Sequence, residues 1–405
     1  MANALVAPRP ANVPDDRVVD FDLYDFPVEG MEYQKAMKEQ IADGKPELIW
    51  TPRNGGHWIM TRFEGIAAVL SDTDHFSSHQ IMVPVPDNGR PPLVPLQLDP
   101  PDHAEYRALL QQALSPKAVG QLGESARALS IQLIDGFKAD GECEFISAFA
   151  QHLPIAIFMN IVGLPESDRP TLTQIAERAL RGATEQERNE AGAAIGAYGM
   201  QKVMERRANP GDDLISRIAT AQIKGKPIGD YELAGMVTLL LLGGLDTVAS
   251  SLGFFAQFLA RHPEHRRQLI DNPAMIPTAV EELLRRFPIA TLAREVKSDL
   301  EIYGVTLKAG DMVVAPTTLS GLDDRKFVDP LTVDFTRDRP GLNATFGGGI
   351  HRCVGSMLAR TELRVFLEEW LPRIPDFDIA PGADVKVSAR SVATITSLPL
   401  VWTAK

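Results

Sequence analysis

Cysteine is almost missing from this chain of 405 residues: only Cys143 and Cys353 occur, too far apart in sequence to suggest a disulfide framework. That scarcity suits a reducing cytoplasm. Positive charge is also short. The formal net charge is −12, which argues against a nucleic-acid-binding surface, although a local basic patch stays possible. No long apolar run is unbroken. The richest region, Leu233 to Phe258, is interrupted by Gly243, Gly244, Asp246, Thr247, Ser250 and Ser251, a load a membrane span rarely carries. The N-terminal "MANALVAPRPANVPDD" has too short an apolar stretch for a signal peptide. Repeats, low-complexity tracts, a flavin or Rossmann fingerprint and an iron–sulfur cysteine set are all lacking. The expectation is a soluble cytoplasmic protein, with no membrane and no nucleic acid among its partners.

What is present is ordinary globular composition, 44% hydrophobic and 23% charged, over a length that buries a large core. The first 20 residues or so, rich in Pro and Asp, read as a loose arm. "ELIWTP" and "GHWIMTR" read as strands and "RFEGIAAVLSD" as a helix. The proline-rich stretch from Ile81 to Leu98 reads as a long loop, of the kind that often serves as a lid or binding loop. From Asp99 to about Ile223 the pattern is helical. Asp99 is placed to cap the first of these helices, with Pro100 and Pro101 in its first turn. A long helix follows from about Asp230 to Arg261, ended by "HPE", and another ends at "EELLRRFP". "DLEIYGVTLKAGDMVVAP" reads as strand, turn, strand, and "SVATITSLPLVW" as a late strand. No linker divides the chain, so residues 1–405 are expected to form one mainly α unit with small β-sheets.

Within "FGGGIHRCVG", Cys353 follows three glycines and a histidine and precedes the amphipathic run "VGSMLARTELRVFLEEWL". Glycines let backbone N–H groups approach a neighbouring atom, and a helix start favours a thiolate. No second Cys or His near Cys353 stands at zinc-ligand spacing. One sulfur held in this way matches the single axial thiolate of a haem. A buried structural cysteine is the bland alternative, and Cys143 in "GECEF" is given that reading. Two further patterns accompany the loop. Glu282 and Arg285 lie three apart on one helical face. In "LLLGGLDTVAS" the Thr247 hydroxyl can bond back to the Gly243 carbonyl, leaving a groove lined by Gly243, Gly244, Asp246 and Thr247. An acid and a hydroxyl there could relay protons; a close helix crossing with a satisfied polar pair is the alternative.

The loop resembles the haem-binding signature of the cytochrome P450 superfamily, matching at Phe346, Gly349, His351, Cys353 and Gly355. The likeness covers most of the chain and lies with the soluble bacterial type, near the camphor hydroxylase family. It implies the cytochrome P450 fold as a single haem-enclosing unit, a ferredoxin-dependent monooxygenase activity, and haem b (iron protoporphyrin IX) on an axial Cys353 thiolate. Phe346 and Gly347 would belong to the cofactor-binding loop. Arg107, Arg294 and His351 would meet the haem propionates. His103 is a weaker fourth, since a solvated helix face explains it nearly as well. Glu282 and Arg285 would be structural, and Asp246 and Thr247 catalytic, delivering protons to dioxygen.

Against that family pattern the loop Ile81–Leu98 has no tyrosine, so the hydrogen bond that holds a camphor carbonyl has no donor there. An Asp beside the second propionate Arg is replaced by Leu292. Camphor is therefore not expected to be the preferred substrate. Candidates for the pocket wall are Leu98, Leu239, Leu242, Gly243, Val248, Thr291, Leu292 and Val392, which suit a small terpenoid or norisoprenoid skeleton. The resemblance also implies electrons from a small acidic [2Fe–2S] ferredoxin with an NADH-dependent reductase. Such a partner needs a basic patch, for which Arg352 and Arg107, with Arg62 and Arg339, are candidates. The alternatives are a non-catalytic haem-binding or electron-transfer protein of the same fold, or a peroxide-driven enzyme; the Asp246–Thr247 pair weighs against both.

Overall fold

A computed structural model of the chain describes residues 6–404 except 27, 29–31, 87–88 and 389–390. Helices dominate it. The longest, Asp230–Arg261, coincides with the span expected from the apolar pattern: acidic residues open it and Pro263 follows it. This central helix joins two apolar clusters. Leu233, Met236, Val237, Leu241 and Leu245 belong to one, and Leu252, Phe254, Phe255, Ala256, Phe258 and Leu259 to the other. Among the described residues it is the one helix long and apolar enough to cross a membrane, and its place here is between packed protein layers.

A five-stranded sheet takes in Leu48–Thr51, His57–Met60, Met312–Pro316, Thr291–Val296 and Phe76–Ser77, in that spatial order. Met312–Pro316 runs parallel to His57–Met60 and antiparallel to Thr291–Val296. A smaller sheet pairs Pro399–Trp402 with Phe377–Ile379 and with Glu142–Glu144. Cys143 sits in that last strand, half-buried, where burial pushes its thiol up to about 12.

Four expectations are corrected. The stretch taken as a loose arm is pinned from Ala7 onward, whose N–H bonds the Pro52 carbonyl. The Arg17 guanidinium bonds the carbonyls of Leu48 and Tyr303, Asn12 bonds Thr306, Val13 is buried, and Val18 bridges to Trp50. Residues 1–5 of that arm lie outside the described residues. Asp99 does not cap a helix: the helix starts at His103, while the Asp99 carboxylate accepts the Ser78 N–H at 2.9 Å and faces Lys297 at 3.4 Å. The strand before the Lys-Ala-Gly turn is two strands, Leu300–Ile302 and Val305–Leu307. They fold back at Tyr303 and Gly304, whose φ values are +50° and +74°. The late strand is likewise divided, into Thr394–Ile395 and Pro399–Trp402. The stretch 81–98 is irregular, as expected, with 87–88 outside the described residues.

Candidate active site

Three short-range devices shape the cysteine loop. Gly347 and Gly349 have φ of +73° and +58°, left-handed angles that cost other residues strain. A Cβ on Gly349 would also stand 2.7 Å from the Ser71 Cα. The chain then folds back so that the Cys353 N–H reaches the Phe346 carbonyl at 2.8 Å. The Phe346 ring is covered by the Arg360 guanidinium, 4.4 Å from its centroid. The helix Ser356–Arg373 begins three residues after the cysteine, and Ser356 N–H meets the Cys353 carbonyl.

The Cys353 side chain is accessible, yet protein surrounds it so closely that burial raises its thiol pKa. The Gly355 N–H and the charges of Arg107, Arg360 and Arg352 pull the other way. Burial outweighs the amide donors, so the helix start and glycine loop alone do not ionise this thiol. A metal ion bonded to a thiol removes its proton outright.

Beside the loop lies a cluster of basic nitrogens that the protein itself leaves without partners. His351 is buried and neither ring nitrogen has a hydrogen-bond partner among the described residues; His103 Nε2 is in the same condition. Their rings meet edge to face, 4.5 Å apart, so His103 belongs to the buried cluster and not to a solvated helix face. Arg294 is 2% exposed, and the one hydrogen bond from its guanidinium goes to the neighbouring Ala293 carbonyl. Burial depresses its pKa to about 10, with Asp99 opposing. His351 is pushed down to about 3, by burial first and then by the charges of Arg294 and His103. Burial lowers His103 and Arg107 too. Arg107 donates to the Arg352 carbonyl, tying its helix to the cysteine loop. Buried unpaired donors cost free energy, a cost that an anion with several acceptor oxygens would offset. One accessible sulfur beside a buried carboxylate receptor is the donor set that an iron porphyrin with two propionates requires.

The central helix passes this region without interruption. Thr247 Oγ1 donates to the Gly243 carbonyl at 2.9 Å, the back-bond expected from the spacing. The two glycines behave differently. Gly243 is exposed, and a Cβ there would meet nothing within 4 Å. A Cβ on Gly244 would lie 2.2 Å from the Phe158 ring, so Gly244 serves helix packing and lines no groove. Asp246 is not hydrogen-bonded to Thr247. Its carboxylate accepts from Arg181 at 2.5 Å and from Ser250 at 3.4 Å. It borders a polar cavity of about 30 Å³ shared with Gln151, Glu177 and Arg181, room for a bound water. Arg181 escaped the sequence reading because 65 residues separate it from Asp246.

Of the pocket-wall candidates, Leu239, Leu242 and Val248 are partly accessible on the central helix, as are Leu98, Leu292 and Val392 elsewhere; Thr291 is buried. Thr291 N–H bonds the Ser391 carbonyl, and Ala290 bridges to Val392, which brings those two segments together. Glu282 and Arg285 are fully buried and bonded twice, at 2.7 and 2.8 Å. Arg285 also reaches the carbonyls of Gly321, Pro330 and Thr332, employing every guanidinium donor. Arg62, a candidate for a basic docking patch, is buried and paired with Asp323 and Asp324. It therefore presents no charge to a partner, whereas Arg352 and Arg339 are exposed.

A family model described as cytochrome P450 matches residues 273–394. The "Probable cytochrome P450 127A1" of Sinorhizobium fredii is 33% identical, over 98% of this chain and 97% of its own length. The mycinamicin IV hydroxylase/epoxidase of Micromonospora griseorubida is 32% identical over 85% of this chain and 89% of its own. Among solved structures, CYP101J2 superposes with a TM-score of 0.89 at 40% identity, and CYP101C1 with 0.88 at 38%. Each comparison covers 98% of this chain and 100% of the other.

Proposed function

This chain belongs to the cytochrome P450 family of haem-thiolate monooxygenases, and from that premise we propose that it hydroxylates a small apolar terpenoid- or norisoprenoid-sized substrate with electrons from a small acidic ferredoxin. The observation that carries the assignment is the set of buried imidazole nitrogens on His351 and His103 that have no partner among the described residues, with the buried Arg294 guanidinium beside them, next to the accessible thiol of Cys353.

Cys353 would hold the iron, and Arg294, His351, His103 and Arg107 would take the propionates. Bound haem supplies dioxygen activation and oxygen insertion into a C–H bond. The protein supplies position and protons. Thr247, tethered to Gly243 above open space, presents a hydroxyl where a proton is needed. Asp246, held by Arg181 beside a water-sized cavity, is the acid that replenishes it. Substrate rests against Leu98, Leu239, Leu242, Gly243, Val248, Leu292 and Val392, with Thr291 close to that wall. With few polar groups there, shape governs selection more than hydrogen bonding, and one methylene is worth about 1–3 kcal/mol of discrimination.

Electron delivery is proposed on the cysteine-loop face. Arg352 is exposed there, and Leu342, Ile350 and Met357 add exposed apolar surface. Arg352 and Arg360 also line a recess of about 230 Å³ beside Phe346. A basic spot on a protein of net charge −12 is a specific target for an acidic ferredoxin fed by an NADH-dependent reductase. We place the protein in the cytoplasm, where such carriers are reduced.

Spin-state titration of the haem-loaded protein with a terpenoid panel, camphor included, tests the substrate assignment. Saturable shifts with apolar terpenoids and a weaker one with camphor are expected; a flat response to the whole panel rejects the substrate class. Cys353→His tests the ligand. The reduced carbon monoxide complex should lose its thiolate-type absorption, and survival of that band would refute the assignment.

A further inference from the structure

Far along the chain from the cysteine loop, the corner between the central helix and the next one gathers two imidazoles around one carboxylate. His262 Nδ1 lies 3.0 Å from Glu264 Oε1, and His265 Nδ1 lies 3.1 Å from the same oxygen. The three ligand atoms all fall within 4.8 Å of one another. Bonds of about 2.0–2.1 Å in a tetrahedral site place ligand atoms about 3.3 Å apart, close to what is seen.

The tautomer is the informative detail. His265 Nε2 lies 3.1 Å from the Val333 carbonyl oxygen, which can only accept, so Nε2 carries the hydrogen. In the neutral ring Nδ1 is then a bare lone pair aimed at a carboxylate oxygen. Two acceptors in contact repel, an arrangement relieved either by a proton on Nδ1, giving an imidazolium–carboxylate pair, or by a metal ion that both atoms bind. A ligating histidine whose other ring nitrogen donates to a backbone carbonyl is the usual outer arrangement of protein metal sites.

The rings are also held before any ion arrives. His262 stacks on Phe258, centroids 4.3 Å apart. His265 stands edge-on to Phe258 and to Phe335, at 5.0 and 5.3 Å. The His262 carbonyl accepts the N–H groups of His265 and Arg266, which fixes the corner. Arg266 is turned inward to the carbonyls of Leu259, Ala260 and Phe377, so its charge does not compete. His262 and Glu264 are 38% and 59% exposed in their side chains, and His265 17%, which leaves one side open for water.

We propose that His262, Glu264 and His265 form a surface site for a divalent transition metal, zinc foremost, that fixes the corner between the central helix and the helix Pro263–Asp271. Two imidazoles and one carboxylate select zinc, copper or nickel over magnesium and calcium. An ion bound only by the folded chain raises its stability by mass action. The site uses no residue assigned to haem, so it stands apart from the monooxygenase reading.

The test uses full-length, haem-loaded protein stripped of loose metal. Zinc binding is measured by equilibrium dialysis and elemental analysis, for wild type and for His262→Gln, Glu264→Gln and His265→Ala. One zinc per chain is expected on wild type, weakened about tenfold or more by each substitution, with a zinc-dependent rise in Tm that the variants lose. Should His265→Ala fail to fold, His262→Gln decides, because that ring is more exposed. Equal zinc affinity in wild type and His262→Gln puts the metal elsewhere and overturns the proposal. No binding to correctly folded wild type does so as well.

Discussion

Removing the Glu282 carboxylate should damage this protein in two measurable ways. In Glu282→Ala the buried Arg285 guanidinium keeps its bonds to Gly321, Pro330 and Thr332 but loses its counter-charge. Glu282 also accepts the Asp334 N–H at 3.0 Å and Arg337 at 3.1 Å, so three groups are released together. Both members of the pair are 0% exposed, and stranding one charge of a buried pair costs about 3–5 kcal/mol. With an unfolding entropy of about 2.1 cal/mol/K per residue, that is a fall in Tm of about 4–6 °C for a chain of 405 residues. The segment Arg285 grips leads into the cysteine loop, where Thr345 bonds the Leu284 carbonyl at 2.8 Å. A loosened segment should therefore also lower the fraction of haem showing thiolate-type absorption in its reduced carbon monoxide complex. Thermal denaturation followed by circular dichroism reads the first effect and difference spectroscopy the second. The double change Glu282→Leu with Arg285→Met should cost less than Glu282→Ala alone, because no charge is stranded. A Tm for Glu282→Ala within about 1 °C of wild type, or a double variant worse than the sum of the singles, would refute this account.

Three further outcomes are expected. Thr247→Ala should leave NADH consumption largely intact while electrons go to hydrogen peroxide instead of product; full coupling would remove Thr247 from proton delivery. Arg294→Met should act with opposite signs, stabilising the haem-free chain because a buried, poorly paired charge is gone, and speeding haem loss. A variant that destabilises the haem-free form would show that the Ala293 carbonyl and Asp99 already compensate the buried charge. His351 titrates near 3 in the folded chain against an ordinary 6.5, so the unfolded chain binds that proton first as pH falls. The contribution of His351 to the stability of the haem-free protein should be full above about pH 6.5 and lost progressively toward about pH 3. Denaturant titrations of His351→Gln should show a shallower dependence, and an unaltered slope would exclude this histidine.

The fold was legible where local pattern governs. The central helix announced both its ends, through acidic residues at the start and a proline past the finish. The Thr247–Gly243 bond follows from spacing within one helix. What escaped are contacts between charges distant in sequence. Asp246 binds Arg181 from another helix, Arg62 is buried against Asp323 and Asp324, and Arg17 pins a segment that composition marked as loose. Asp99 misled for a different reason. A carboxylate before two prolines is a strong capping signal, yet the Ser78 N–H offers it a long-range partner and the helix begins later. Paired charges carry no periodicity, so only the folded chain reveals them. The same holds for the adjacent Gly243 and Gly244 of the central helix, identical in sequence and different in surroundings.

One consequence concerns how the molecule comes apart. A single uninterrupted rod supplies Leu233 to Leu245 to one oily nucleus and Leu252 to Leu259 to the other. Melting either nucleus strips partners from the rod they share, so the two are obliged to surrender together. Calorimetry on such a chain gives one sharp endotherm, and partial unfolding is confined to the periphery.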